Sequence, residues 1–237
     1  NFTDKNGNKK YAWQNTWAIS TRMLGVMFAI HSDNKGLVLP PRMAPIQAVI
    51  VPILFDKTRV KVLKEAKKIK QRLEKKGISV HLDDREGYSP GWKFNEWEVK
   101  GIPIRIEIGP RDLDKHQATI VRRDNGEKQA LELIALASEV NIVLDNIQDS
   151  LFKKAKDHLD KSIVIVETIA DAKKQLKNKR LLFVPWCGSV KCEENFKVET
   201  TAKSLNSPFK QPKLKKGQKC FVCKNKAESW FYFGKSY

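Results

Sequence analysis

Four cysteines fall in two close pairs, Cys187-x4-Cys192 and Cys220-x2-Cys223, separated by 27 residues. Four thiolates in two such pairs suit a tetrahedral structural zinc, closed to water and substrate. Free thiols or a disulfide are the alternatives that spacing alone leaves open. His116 and His158 lie far from both pairs in the chain and are not expected as ligands. The other chemical signal is charge. A formal net charge of +18 and a pI near 9.7 favour a polyanionic partner through counterion release and long-range steering. The plain alternative is a basic protein whose lysines serve solubility. Residues 57–76 hold ten basic side chains against two acidic ones, Glu65 and Glu74. Most of that run is expected to be a solvated helix face, with a minority of its cations free to touch phosphates.

At 237 residues and 41% hydrophobic content the chain suits one or two domains with packed cores. No apolar run approaches the ~20 residues that a membrane span needs. The longest, Met23–Ile30, is broken by Gly25 and soon followed by His31, Ser32 and Asp33. The first ten residues lack the apolar core of a signal peptide, and the missing initiator Met leads us to expect a fragment. Four cysteines in a lysine-rich chain point to a reducing, cytoplasmic setting rather than a disulfide scaffold.

The elements that must position these residues can be read from periodicity and breakers. Tyr11–Ser20, rich in aromatic and β-branched residues, predicts a strand, and Thr21 a cap for a helix from Arg22 to about His31. Gly36–Pro45, with Pro40-Pro41 and Pro45, predicts an extended connector and the clearest domain boundary. Ala48–Phe55 predicts a buried strand. Leu63, Ala66, Ile69 and Leu73 predict an amphipathic helix over Val60–Lys76, stopped at Gly77. With a strand at Ile78–Leu82 this makes a βαβ crossover. A turn at Ser89-Pro90-Gly91 precedes a short helix, Lys93–Val99. Ile102, Ile104, Ile106 and Ile108 alternate as in a strand with one buried face. Gln117–Arg122 predicts the next strand, Asn125-Gly126 a turn, and Leu131–Leu144 a helix; the helical pattern resumes over Leu151–Leu159, either as a second helix or continuous with the first. Strands at Ser162–Glu167 and Arg180–Pro185, flanking a helix around Asp171–Lys177, predict a second small α/β unit over residues 150–237. Ser204–Lys219 predicts a loop.

One long stretch, Asp84–Asp112 (DREGYSPGWKFNEWEVKGIPIRIEIGPRD), closely resembles the anticodon-binding domain of prolyl-tRNA synthetase of the archaeal and eukaryotic type. Tyr11–Arg42 (YAWQNTWAISTRMLGVMFAIHSDNKGLVLPPR) resembles the end of that family's catalytic domain, and Phe233–Tyr237 (FGKSY) its C-terminus. The resemblance runs through nearly the whole chain in family order. It implies an α/β fold in three parts. Residues 1–46 are expected as a remnant of the class II catalytic domain, 47–148 as the mixed-sheet anticodon-binding domain of class IIa synthetases, and 149–237 as a small zinc-binding C-terminal domain.

The resemblance also implies roles for residues. Arg22 matches the arginine of the third class II motif, which pairs with ATP phosphates through its planar fork. Ser20 aligns with a Thr or Ser that contacts ATP, and Thr21 adjoins it. Trp17 and Ala18 would line the substrate pocket. Ala18 departs from the family's usual Gly, and HSDNKG from its usual HGDDKG. Asp84, Arg85, Glu86, Lys93, Glu107 and Arg111 supply both donors and acceptors for two adjacent anticodon guanines, with Trp92, Phe94 and Trp97 as aromatics for stacking or core. Arg122 and Arg123 are expected at phosphates or in solvent. Cys187, Cys192, Cys220 and Cys223 match the family's structural zinc site. In the family the C-terminal tail folds back on the catalytic domain, with the terminal Tyr carboxylate near the active site. The alternative is that Trp230, Phe231 and Phe233 finish the last domain's core.

The leading expectation is thus the C-terminal part of a synthetase that joins L-proline to tRNA(Pro) through prolyl-adenylate, using ATP and Mg2+. The other two catalytic motifs precede this segment, so the chain alone is expected not to activate proline. The whole enzyme would be a homodimer and this piece a monomer. The competing reading is a non-catalytic RNA-binding protein that reuses the anticodon-binding domain, and it leaves Tyr11–Arg42 without a purpose. A zinc-ribbon nucleic-acid factor would explain the cysteines but not residues 11–146.

Overall fold

The structure is a computed structural model and describes residues 1–235. It divides into two compact units, Asn1–Leu151 and a second beginning at Phe152. Among the described residues no helix is long and apolar enough to cross a membrane.

The first unit opens with a small hairpin, β1 (Phe2–Thr3) and β2 (Lys9–Lys10), whose turn is held by the Asp4 carboxylate on the amides of Asn6 and Asn8. Residues 11–20 form no strand, contrary to the expectation from their aromatic and β-branched composition. A strand is stable only when its amides and carbonyls are paired, and no described strand lies alongside this stretch, so Tyr11, Trp13, Trp17 and Ile19 stand in solvent. Helix α1 (Arg22–His31) follows and buries none of its residues; Thr21 precedes it but its hydroxyl makes no capping hydrogen bond. The connector then becomes fixed. Val38 and Leu39 are buried, and the amides of Leu37 and Leu39 donate to the carbonyls of Val99 and Gly101 at 3.0 and 3.1 Å.

Five strands form the sheet of this unit: β3 (Ala48–Pro52), β4 (Val80–Leu82), β5 (Ile104–Ile108), β6 (Gln117–Arg122) and β7 (Lys128–Glu132). Their order is β4-β3-β5-β6-β7, with β3 parallel to both neighbours and the β5–β6 and β6–β7 pairs antiparallel. Helix α2 (Arg59–Lys75) makes the crossover from β3 to β4, and α3 (Pro90–Val99) the one from β4 to β5. A short helix, α4 (Pro110–Asp114), joins β5 to β6. Val62, Ala66, Ile69 and Leu73 of α2 pack with Ile50, Ile104, Ile106 and Ile120 on one face of the sheet; Val62, not Leu63, fills the first core position. The same face receives α5 (Leu136–Ser162) through Leu136, Val140, Leu144 and Ile147. Trp97 and Ile102 cover Val49 and Val51 on the other face.

The helix predicted from Leu131 begins five residues later. Lys128–Glu132 are helix formers by propensity, but pairing with β6 and burial of Leu131 override that local preference. The 131–144 and 151–159 patterns, whose continuity the sequence left open, join: α5 is one helix of 27 residues.

In the second unit β8 (Ile163–Ile165), α6 (Ile169–Lys177), β9 (Leu181–Trp186), α7 (Val190–Thr200), β10 (Ala202–Ser204) and β11 (Ser229–Lys235) form a sheet of order β10-β11-β9-β8 and its two helices. The pairing of β8 with β9 is parallel; β11 is antiparallel to both β9 and β10. Phe196, Phe221 and Phe233 meet edge to face at centroid distances of 4.9 to 5.7 Å and form its core with Leu182, Val184 and Trp186. The aromatic tail is therefore a central strand of this unit, with Trp230 and Phe233 buried in it. The family position of the terminal Tyr237 carboxylate lies outside the described residues.

Candidate nucleic-acid interface and metal centre

The loop after β4 is organised by Asp83, whose side chain is fully buried. Its amide donates to the carbonyl of Ile50 in β3 at 2.9 Å, which fixes its position at the carboxyl end of the parallel strands. The carboxylate accepts from Arg85 Nε and NH2 at 2.8 Å each and from Trp97 Nε1 at 2.8 Å, and the Lys93 ammonium lies 3.5 Å away. Burial works to raise the Asp83 pKa, but the hydrogen bonds from Arg85 and Trp97 and the charge of Lys93 outweigh it. The carboxyl is held well below the usual carboxylate range and stays ionised.

Arg85 spans this node and the surface. Its guanidinium also reaches Glu96, and it lies over the rings of Tyr88 and Trp92, 5.1 and 5.4 Å from their centroids. Those two rings stack on each other at 4.2 Å and are both exposed. Ser89 secures the platform by capping α3, its hydroxyl accepting from the Trp92 amide at 3.2 Å, with Pro90 at the first helical position. Lys93 is only 3% exposed, its ammonium donating to the carbonyls of Asp83 and Arg85 at 3.0 and 2.7 Å. It braces the loop from beneath.

The other residues singled out in the sequence are more scattered. Asp84 and Glu86 are exposed, with Glu86 ion-paired to Arg59 of α2. Glu107 sits on β5 beside Val51 and accepts from Arg105, whose guanidinium lies 4.4 Å from the centroid of half-buried Phe94. Arg111 is exposed on α4 at a cleft of about 420 Å³ lined by Ile53, Phe55, Thr58 and Pro110. Arg85 and Lys93 thus share one node, whereas Glu107 and Arg111 belong to the β5 end of the face. Arg122 and Arg123 do not stand free. Arg122 forks onto Asp124, and buried Arg123 forks onto Asp33 at 2.7 and 2.8 Å while donating to the Glu98 carbonyl. A buried guanidinium needs a partner, and Asp33, its pKa lowered chiefly by Arg123, supplies it.

Asp83, Tyr88 and Glu96 were not selected from the sequence. The Asp-x-Arg spacing of Asp83 and Arg85 and the serine cap ahead of two tryptophans were the available signals. At the other end, Trp17, Ala18, Ser20, Thr21 and Arg22 are all exposed, on irregular chain and the first turn of α1.

In the second unit the four cysteine sulfurs lie within 4.8 Å of one another. Cys187 Sγ is 3.6 Å from Cys192 Sγ and 3.7 Å from Cys223 Sγ. These separations exclude disulfides, whose sulfurs are ~2.05 Å apart. They match the edge of a tetrahedron with metal–sulfur bonds of ~2.3 Å, about 3.8 Å. Cys187 follows β9, Cys192 lies in the first turn of α7, and Cys220 and Cys223 flank a tight turn. That turn closes through the Cys220 amide on the Asn225 carbonyl at 2.7 Å, with Lys224 in the left-handed region. Burial pushes the Cys192 thiol up to about 12, whereas a backbone hydrogen bond from Asn225 pulls Cys223 down to about 7. The four cysteines could hold a metal that takes soft ligands in tetrahedral array, a description that zinc fits.

Comparison with known proteins agrees with this division. Residues 47–142 match the anticodon binding domain model, and residues 169–237 match the model described as prolyl-tRNA synthetase, C-terminal. "Proline--tRNA ligase 2" of Clostridioides difficile is 43% identical over 237 residues, which covers all of this chain and 48% of that protein. "Proline--tRNA ligase, cytoplasmic" of Arabidopsis thaliana is 40% identical over 243 residues, covering all of the chain and 46% of the relative. "Proline--tRNA ligase" of Alkaliphilus oremlandii is 44% identical over 237 residues, again covering all of the chain and 48% of the relative. The chain spans about half the length of these relatives. It belongs to the prolyl-tRNA synthetase family and corresponds to that family's C-terminal part.

Proposed function

We propose that this chain is the tRNA-binding part of an enzyme that ligates L-proline to tRNA(Pro) through prolyl-adenylate, using ATP and Mg2+. The observation that carries the reading is the Asp83 node, which holds Arg85 beside two exposed stacked rings within the matched anticodon-binding domain. An aromatic platform beside a fixed guanidinium suits unstacked bases, whose faces stack and whose edges accept from Arg. Asp84 and Glu86 add exposed acceptors in the same loop, and Glu107 and Arg111 an acceptor and a donor at the β5 end of the face. In this reading Arg22, Ser20 and Thr21 contact ATP, and Trp17 and Ala18 the prolyl pocket, only in the whole enzyme. The whole enzyme is a cytoplasmic homodimer, and the 237-residue chain alone is monomeric and does not activate proline. The four cysteines hold a structural zinc that ties β9, α7 and the 220–223 turn together. Residues 1–46, 47–148 and 149–237 are its catalytic remnant, anticodon-binding domain and C-terminal domain.

The test is equilibrium binding of a tRNA(Pro) transcript against one with its anticodon guanines replaced, at ~150 mM salt to suppress the nonspecific charge term. A clear preference for the native anticodon is expected. Equal, salt-sensitive binding to both would overturn the reading.

A further inference from the structure

The segment from Lys203 to Lys226 contains eight lysines and neither aspartate nor glutamate. All eight lysines are exposed. Among the described residues none of them is ion-paired with a carboxylate, in contrast to Lys156 and Lys173 of the same unit. The segment is a fixed track, not a free tail. The Leu205 amide donates to the Tyr232 carbonyl and the Tyr232 amide to the Asn206 carbonyl, both at 2.9 Å. The Gln211 amide group brackets Trp230, accepting from its N–H at 2.9 Å and donating to its carbonyl at 3.0 Å. The Ala227 amide closes the far end on the Gln218 carbonyl at 3.0 Å. Lys215, Lys216, Lys219 and Lys224 border a groove of about 410 Å³ whose lone carboxylate, Glu167, is engaged by Gln218. Phe209 projects from the track fully exposed, at 102%.

A zinc held by four thiolates carries a net charge of −2, so it accounts for a minority of these eight cations. A row of exposed lysines without carboxylate partners, of which Lys224 donates to the Glu167 carbonyl at 3.0 Å, lies on a backbone tied down at Leu205, Gln211 and Gln218; with a bare aromatic ring among them it matches a strand of phosphates with a base free to stack. We propose that the Lys203–Lys226 track is a second RNA-contact surface, binding phosphates without reference to the anticodon. Its identification with tRNA rests on the proposed function; its affinity for RNA does not.

The test replaces Lys213, Lys215, Lys216 and Lys219 by Gln in the full chain and follows affinity from ~50 to ~300 mM salt for both transcripts described above. The slope of log affinity against log salt should shrink by about 3, from ~0.7–0.9 for each of four phosphate contacts. Both transcripts should weaken by the same factor, and any anticodon preference should persist. An unchanged slope would overturn the proposal. Absence of anticodon preference in the unaltered chain, with the slope still falling, would sink the proposed function alone. A measurement without substitution guards against a misfolded variant: lysine acetylation mapped by mass spectrometry with and without RNA. Protection of residues 210–219 by RNA is expected. Protection there by anionic phospholipid vesicles and not by RNA would make the track a membrane-binding surface and refute the proposal, as would no protection by either.

Discussion

Replacing Asp83 by Ala tests whether one buried carboxylate holds the loop that presents Arg85. The substitution removes the acceptor of four hydrogen bonds, three from Arg85 (its backbone amide and two from its guanidinium) and one from Trp97, and leaves the Lys93 ammonium, 3% exposed, without its counter-charge. Removing one partner of a buried ion pair costs about 3–5 kcal/mol because the remaining charge stays desolvated. Lys93 keeps its two carbonyl acceptors, so the lower half of that range applies. Native-state hydrogen exchange of the β3 and β5 amides reads this first unit separately from the second. Protection should fall by roughly a hundred- to a thousand-fold, at ~1.4 kcal/mol for each factor of ten. Asp84→Ala, one residue away and exposed, should change protection less than threefold, as surface substitutions do within about 0.5 kcal/mol. The same carboxylate sets an acid dependence. Its folded pKa is depressed, so its contribution is fully present above the unfolded value of about 3.9 and is lost as pH falls through the lower folded value. The variant should therefore lack part of the loss of stability that the parent suffers below about pH 4. A fall in protection of less than tenfold, or acid profiles that coincide, would refute the account of Asp83 as the organising group.

Two further outcomes follow from the geometry. The purified chain should carry one zinc by elemental analysis, and Cys192→Ser or Cys220→Ser should abolish it and lower the melting temperature of the second unit; full zinc in both variants would remove the four-thiolate assignment. Gly101→Ala should destabilise the first unit by about 2–3 kcal/mol in urea melts, because Gly101 has a φ of +74° and an added Cβ would lie 2.5 Å from the Leu37 carbonyl group; a loss under 0.5 kcal/mol would show that the connector does not pack there.

Much of the architecture follows from patterns that a sequence displays directly. The alternation of Ile104, Ile106 and Ile108 defines β5, the three- and four-residue spacing of Ala66, Ile69 and Leu73 defines α2, and the prolines at 40, 41 and 45 mark the connector. These signals are local, so they survive without knowledge of neighbours. What failed was set by partners. Residues 11–20 have the composition of a strand and nothing described to pair with, whereas Lys128–Glu132 have the composition of a helix and a strand edge to complete. α7 and β10 escaped because Val190–Ser204 has neither a clean period nor breakers at its ends. The candidate site divides in the same way. The cysteine pairs are visible as spacing, and the resemblance marked out Arg85. The Asp83–Trp97 hydrogen bond joins residues 14 apart and exists only once α3 lies on β3. Lys93 reads in the sequence as a donor for the anticodon, because nothing in its neighbourhood announces that two backbone carbonyls will enclose it.

The position of β11 bears on how this protein is made. Ribosomal synthesis delivers β8, β9 and β10 before it, yet β11 lies between β9 and β10 and pairs with both. Until Ser229–Lys235 emerge, β9 keeps an open edge bearing Leu182 and Val184, and Phe196 and Phe221 lack Phe233 as their third partner. The sheet of the second unit therefore closes only once β11 has been made. A nascent chain stalled even ten residues short of this strand's end would present an unpaired apolar edge, a substrate for chaperones and a seed for aggregation.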